Sequence, residues 1–268
     1  MCAVSASERQ NVATGSATVA DVHKEIIGDC VLYRADCREV LPTLPKVDAV
    51  VTDPPYGIDI AAAATIGATG KSGKGHRLGA RAVKEYAVSD WDAQGMSAEQ
   101  WALVRDAAPQ WIVWGGNHLA DVLGRSAGVL VWDKKCQNGW DDTFSELEIA
   151  WTNALTRAKG FRHLWAGAIR ASEHTANVRE HPTQKPIVLM EWCLGFLPEA
   201  RNILDPFMGS GTTGVASVRL DRAFIGVEID PRYFDIACRR IEEAYKQPRL
   251  FDEPTPKPVQ ASLLDGVA

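Results

Sequence analysis

Asn202-Ile-Leu-Asp-Pro-Phe-Met-Gly-Ser-Gly-Thr-Thr-Gly214 decides the fold. A short apolar run, Asn202–Leu204, reads as a strand, and Thr212–Leu220 reads as a helix. Between them Gly209, Gly211 and Gly214 match the spacing G-x-G-x-x-G, which permits a tight turn and close backbone approach to a ligand at a helix N-terminus. Glu228 ends the next apolar run, 17 residues after Gly211, where a carboxylate can take two ribose hydroxyls. Alone, this is a nucleotide-type cofactor site, and a nicotinamide site competes for it. Asp205 at the strand end would repel a pyrophosphate but welcome a cationic α-amino group. A phosphate P-loop is excluded, because no Gly-Lys-Ser/Thr follows.

Outward from this element, strands and helices alternate, which predicts a layered α/β sheet. Candidate strands are Cys30–Ala35, Asp48–Thr52, Trp111–Trp114, Val129–Trp132, Leu147–Trp151 and Ala223–Val227. Ser97 and Gln100 make a capping box before the helix Trp101–Ala108. Pro186 opens the nearly all-apolar helix Ile187–Leu197, and Asp230-Pro231 caps a last helix bearing Phe234, Ala237, Ile241 and Ala244. Residues 1–24 and 247–268 read as loose tails around one domain, 25–246. Segments 57–90 and 152–180 have no clear period and read as inserted binding loops.

The 268 residues carry a net charge of −5, but the sign is unevenly placed. Residues 57–84 hold an excess of four positive charges and residues 156–180 an excess of three, leaving −12 for the rest. An acidic body with two basic, unpatterned segments suggests a polyanion-binding face. No run of 18 apolar residues occurs, and the N-terminus does not read as a signal peptide. Six cysteines, none in C-x-x-C spacing, read as free thiols of a cytoplasmic chain, and neither His nor Cys shows metal-ligand spacing, so no metal is expected.

Asp53-Pro54-Pro55-Tyr56 closes the apolar run Asp48–Thr52, the end of a strand where open α/β sheets place ligands. Two prolines remove two backbone donors and leave their carbonyls free. The product is a stiff cluster of oxygen acceptors beside one aromatic ring, suited to a planar base with an exocyclic NH2. The carboxylate and the Pro54 carbonyl each accept one N–H and aim the nitrogen lone pair, while Tyr56 stacks on the base. A third element, His181-Pro-Thr-Gln-Lys-Pro186, places Lys185 at a helix start. A cation there is poor dipole chemistry, so Lys185 should have an anionic partner, such as the α-carboxylate of an amino-acid cofactor.

Read in order, these elements resemble the β class of amino-methyltransferases acting on DNA, in which the catalytic tetrapeptide precedes the glycine loop. Trp114-Gly-Gly-Asn117 and Trp132-Asp-Lys134 look like compact phage or orphan members. The resemblance covers roughly residues 25–246. It implies a Rossmann-like, seven-stranded S-adenosylmethionine-dependent methyltransferase sheet, mostly parallel with one antiparallel strand near Val129–Trp151, and a circularly permuted motif order. It further implies methyl transfer from S-adenosylmethionine to N6 of a flipped adenine in double-stranded DNA. The first-position aspartate favours adenine; the alternatives are N4 of cytosine and a catalytically silent DNA-binding subunit.

Carried over, the resemblance makes Asp53, Pro54, Pro55 and Tyr56 catalytic. It puts Asp205, Phe207, Gly209 and Gly211 around the methionine part of the cofactor, Glu228 on the ribose, Asp36 and Cys37 by the adenine, and Thr183 and Lys185 at the methionine end, with Asp53, Ser210 and Thr212 as further cofactor contacts. Lys71, Lys74, Arg77 and Arg81 in the first basic segment, and Arg162, His163, Arg170 and His174 in the second, are the expected DNA contacts. Arginine reads guanine edges well, though many such contacts go to phosphate. A short palindrome read by a homodimer follows, with Trp101, Trp111 and Trp192 assigned to the core or to that interface.

Overall fold

The computed structural model describes residues 22–58, 94–136, 145–166, 169–173 and 184–247. In chain order the elements are β1 (His23–Ile27), β2 (Cys30–Arg34), α1 (Cys37–Val40), β3 (Ala49–Thr52), α2 (Ala98–Ala107), β4 (Gln110–Trp114), α3 (Ala120–Leu123), β5 (Gly128–Asp133), β6 (Leu147–Thr152), β7 (Ala158–Arg162), β8 (Trp165–Ala166), β9 (Ile169–Arg170), α4 (Ile187–Leu194), β10 (Asn202–Asp205), α5 (Thr212–Arg219), β11 (Ala223–Glu228) and α6 (Pro231–Lys246). The main sheet runs β1-β2-β11-β10-β3-β4-β6-β5-β7, and β8 and β9 form a separate ribbon. No helix among the described residues is long and apolar enough to cross a membrane.

The expected Rossmann-like sheet is present as the run β2-β11-β10-β3-β4-β6-β5, parallel except for β6, which pairs antiparallel with both β4 and β5. Two edge strands bring the total among the described residues to nine rather than seven. β1 folds back on β2, so the sheet begins at His23, inside the expected 1–24 tail. Its sequence His-Lys-Glu-Ile-Ile is largely solvent-exposed and carries no apolar period to announce a strand. β7 joins β5 in parallel from within 152–180, which is therefore not all loop. Ala-Lys-Gly-Phe-Arg likewise lacks an apolar run, and pairing to β5 supplies the order that side chains do not.

β3, β4, β10 and β11 alternate between two cores. Ala49 and Val51 face one side with Ile112, Ile203 and Phe224; Val50 faces the other with Val113, Leu204 and Val227. That period of two is the strand's own geometry. Leu189 and Leu194 of α4, Val215 of α5 and Phe234 and Ile241 of α6 cover the first face. Val40 of α1, Trp101 and Val104 of α2 and Leu123 of α3 cover the second. The all-apolar α4 is buried as its composition implies, though the helix stops at Leu194 rather than Leu197. The capping box of α2 is formed, with Ser97 and Gln100 reciprocally bonded. Trp101 packs edge-on against Trp111 at 5.0 Å, both against the second core, and Trp192 stacks on Phe161 at 5.1 Å.

β10 is followed by β11 on one side, and β3 by β4 on the other, so the direction of winding reverses between β3 and β10. Such a reversal opens a crevice at the carboxyl ends of the two strands. Asp53 follows β3 and Asp205 ends β10, which brings two motifs 152 positions apart to one place.

Candidate functional site

A cleft of about 850 Å³ lies over that reversal, lined by Asp53, Tyr56, Lys185, Asp205 and Glu228 and extending to Asp36 and Cys37. Asp53 has both oxygens engaged: Tyr56 Oη donates to Oδ1, and Lys185 Nζ donates to Oδ2 at 2.6 Å. Pro55's carbonyl accepts from Met96 N at 3.0 Å. Among the described residues the Pro54 carbonyl accepts no hydrogen bond, which leaves it for the site. Tyr56 stacks on His118, with ring centroids 5.2 Å apart.

Burial lifts the Asp53 carboxyl above the usual carboxylate range, with the Lys185 charge pulling the other way. Lys185 is itself only 6% exposed. Burial opposes its charge, but Asp53 and Glu148 outweigh that and raise its pKa. The anionic partner expected for Lys185 is thus supplied from inside the chain, by Asp53 and by Glu148 at 3.1 Å, rather than by a cofactor carboxylate.

The glycine loop is built around Asp205. Its carboxylate accepts from Thr52 Oγ1 (2.7 Å), Thr213 Oγ1 (2.7 Å) and Phe207 N (3.1 Å). Burial still pushes Asp205 up to about 6 against those bonds. Glu228 accepts from Gly209 N (2.9 Å) and Asp230 N (2.8 Å) and is pushed by burial up to about 7. Phe207, Gly209, Ser210 and Thr212 line the cleft; Gly211 does not. Gly211 sits at φ +79°, and a Cβ there would come 2.9 Å from Ala237 Cβ, so its conformation serves the close approach of α6 rather than ligand contact. Asp36 caps α1 and pairs with Arg38 at 2.6 Å, while Cys37 is buried and receives a 3.7 Å hydrogen bond from Gln100.

Asp53, Asp205 and Glu228 therefore line one cleft, and among the described residues lining it Lys185 is the one buried cation. This is a poor place for a phosphate and a good one for a ligand bearing positive charge. The donor set fits S-adenosylmethionine, which carries a sulfonium and an α-amino group.

The second basic segment reaches the same end of the sheet. β7 runs parallel to β5, so Arg162 and His163 stand at the carboxyl end of the sheet, the end at which the cleft lies. Arg162 is exposed and pairs loosely with Asp133 at 3.6 Å; His163 bonds Ser172 at 2.9 Å; Arg170 lies over the Trp165 ring at 4.8 Å. Thr183, Lys71, Lys74, Arg77, Arg81 and His174 lie outside the described residues.

Four participants escaped the sequence reading. Thr52 gave a signal, as the lone hydroxyl in a buried apolar strand. Glu148 sits in the otherwise apolar run Leu147–Trp151, and that charge was the clue to it. Lys134, which bonds Glu148 at 2.8 Å, stood in the quoted motif Trp132-Asp-Lys134 but with no role assigned, and Arg240, which braces the glycine loop, carried no local sign.

Residues 131–239 match the family model described as DNA methylase. Over 98 residues the chain is 41% identical to Type II methyltransferase M2.DpnII of Streptococcus pneumoniae, covering 36% of this chain and 31% of that protein. Over 87 residues it is 42% identical to Type II methyltransferase M2.LlaDCHI of Lactococcus lactis subsp. cremoris, covering 32% of each. The matches thus span about a third of the length of these curated relatives. Among solved structures, the M1.HpyAVI-SAM complex is 24% identical, with 79% of this chain and 98% of that one covered and a TM-score of 0.46. The likeness to DNA methylases implied by the motif order is present in the family match.

Proposed function

From that likeness we propose that the chain is a DNA methyltransferase that moves a methyl group from S-adenosylmethionine to N6 of an adenine flipped out of duplex DNA. One observation carries the reading: the acceptor cluster Asp53–Tyr56 and the carboxylate-lined glycine loop share one cleft across the β3/β10 reversal. When bound, S-adenosylmethionine supplies a methyl group on a positively charged sulfur. Asp53 and the Pro54 carbonyl each accept one N–H of the target amine, which turns its lone pair out of conjugation and toward that methyl. Each Asp53 oxygen keeps a lone pair beyond those used by Tyr56 and Lys185. Asp53, lifted by burial, takes the proton that the methylated nitrogen sheds. The chain's work is orientation and preorganised charge. Arg162, His163 and Arg170 meet the DNA near the flipped base, with Lys71, Lys74, Arg77, Arg81 and His174 as further contacts, and two copies read a short palindrome.

The test is transfer of tritiated methyl to duplex DNA by the purified chain, followed by base analysis. N6-methyladenine is expected. Asp53→Ala should lower turnover by on the order of 10²–10³-fold or more while cofactor binding persists. N4-methylcytosine would move the substrate to the other base; an inactive wild-type chain that still binds DNA would make it a silent subunit; undiminished turnover by Asp53→Ala would remove Asp53 from its role.

A further inference from the structure

We propose that Glu148 is a positioning residue of the methyl-transfer site: it shares Lys185 with Asp53 and thereby sets how firmly that lysine holds the carboxylate that must accept the target amine. The inference rests on the reading of Asp53 given above.

The groups alternate in sign. Lys134, just after β5, donates to Glu148 Oε1 at 2.8 Å. Glu148, on the reversed strand β6, presents Oε2 to Lys185 at 3.1 Å. Lys185, at the start of α4, donates to Asp53 Oδ2 at 2.6 Å, and Tyr56 closes the series on Oδ1. Two ammonium groups and two carboxylates from four separate elements thus make a neutral chain that ends at the amine site.

An ammonium between two carboxylates is divided between them. With Glu148 present, Lys185 is held away from full commitment to Asp53, and Oδ2 retains acceptor strength for the substrate. Without it, the whole ammonium falls to Asp53 and its acceptor strength drains away. Among the described residues, the charged and titratable groups facing Asp53 are Lys185 and Tyr56, with the charges of Glu148 and Asp205 reaching it more weakly. Those facing Lys185 are Asp53, Glu148, Tyr56 and the buried Cys193 thiol of its own helix. Those facing Glu148 are Lys134 and Lys185. Burial works to raise the Glu148 carboxyl, but the charges of Lys185 and Lys134 outweigh it and hold it at about 2, so Glu148 is an anion throughout the working range. Its negative charge raises Asp53. Removing that charge, and releasing Lys185 to Asp53, both act to lower it.

The experiment compares wild type, Glu148→Gln and Glu148→Asp in two ways. The first is kcat against pH with saturating cofactor and DNA. The second is titration of the Asp53 carboxyl by carbon-13 NMR on the cofactor-free protein, assigned by its loss in Asp53→Asn. In Glu148→Gln the plateau kcat should fall about tenfold, and both the acid limb and the NMR midpoint should move about one unit to lower pH. Glu148→Asp should recover most of each. A fall in kcat with limb and midpoint unmoved would overturn the proposal and leave Glu148 a packing residue; so would a moved midpoint with unchanged kcat. If the wild-type chain methylates no DNA, the function proposed above fails, while the NMR midpoint still decides whether Glu148 governs Asp53 through Lys185.

Discussion

Thr52 Oγ1 donates a 2.7 Å hydrogen bond to Asp205 Oδ1, and both residues are buried. Thr52 is the last residue before Asp53-Pro54-Pro55-Tyr56, and Asp205 is the first of the glycine loop. One bond therefore ties the two halves of the site across the reversal in strand order.

Thr52→Val keeps the side-chain shape and removes that donor. The loss should cost about 1–3 kcal/mol, the penalty of a buried acceptor left short of a partner. It should also lift Asp205 above its value of about 6, because the bond favours the charged form. The stability difference from wild type should therefore widen as pH rises from 5 to 8. Urea midpoints at the two ends of that range check both the size and the trend.

Gly115 stands at φ +78°, and a Cβ there would overlap the ring of Tyr56. Gly115→Ala should therefore strain the backbone and push Tyr56 off Asp53. We expect turnover to fall at least about tenfold, equivalent to ~1.4 kcal/mol, with the cofactor Kd little changed because the glycine loop is untouched. Turnover measured beside calorimetric cofactor titration separates the two effects.

Burial disfavours the charged forms of Asp205 and Glu228 and pushes them up to about 6 and about 7. Their folded values lie above the unfolded ones, so the folded state holds protons more tightly, and the ligand-free chain should lose stability as pH rises from ordinary carboxylate values through 7. A cationic cofactor favours the ionised carboxylates. Its affinity should accordingly strengthen between pH 5.5 and 8, with proton release on binding. Calorimetry in buffers of different ionisation enthalpy reads both, and a flat affinity across that range would contradict the assignment of the cleft to a cation.

Arg240 of α6 donates to Ser210 O (2.6 Å), Ser210 Oγ (2.9 Å) and Thr212 Oγ1 (3.2 Å), bracing the glycine loop from behind. Arg240→Met keeps much of the stem and removes the donors. The cofactor KM should rise about tenfold or more, as expected from losing bonds worth ~1.5–3 kcal/mol from a charged donor, while kcat stays within about twofold. Initial rates against cofactor concentration decide this.

Much of the fold was legible because its signals are local. The seven central strands are short apolar runs, and α2 and α6 carry capping residues whose side chains bond the first turn. The edges were not legible. Exposed, polar strands such as His23–Ile27 and Ala158–Arg162 have no face to bury and become strands only by pairing with β2 and β5. At the site, Asp53, Tyr56, Asp205 and Glu228 were readable because each sits at the end of a recognisable strand. The roles of Lys185 and Gly211 were read differently from sequence, because each is governed by a distant neighbour: Asp53 and Glu148 for the lysine, Ala237 for the glycine.

By itself, then, the order of residues settles which chemical groups this chain owns and which strand end carries each, since periodicity, prolines and glycines act over a few bonds. Which of those groups touch is a matter for the folded chain alone. The meeting of Lys134, Glu148, Lys185 and Asp53 depends on β6 running against its neighbours and on α4 docking over β3, and charges interact through space, without regard to their separation along the backbone.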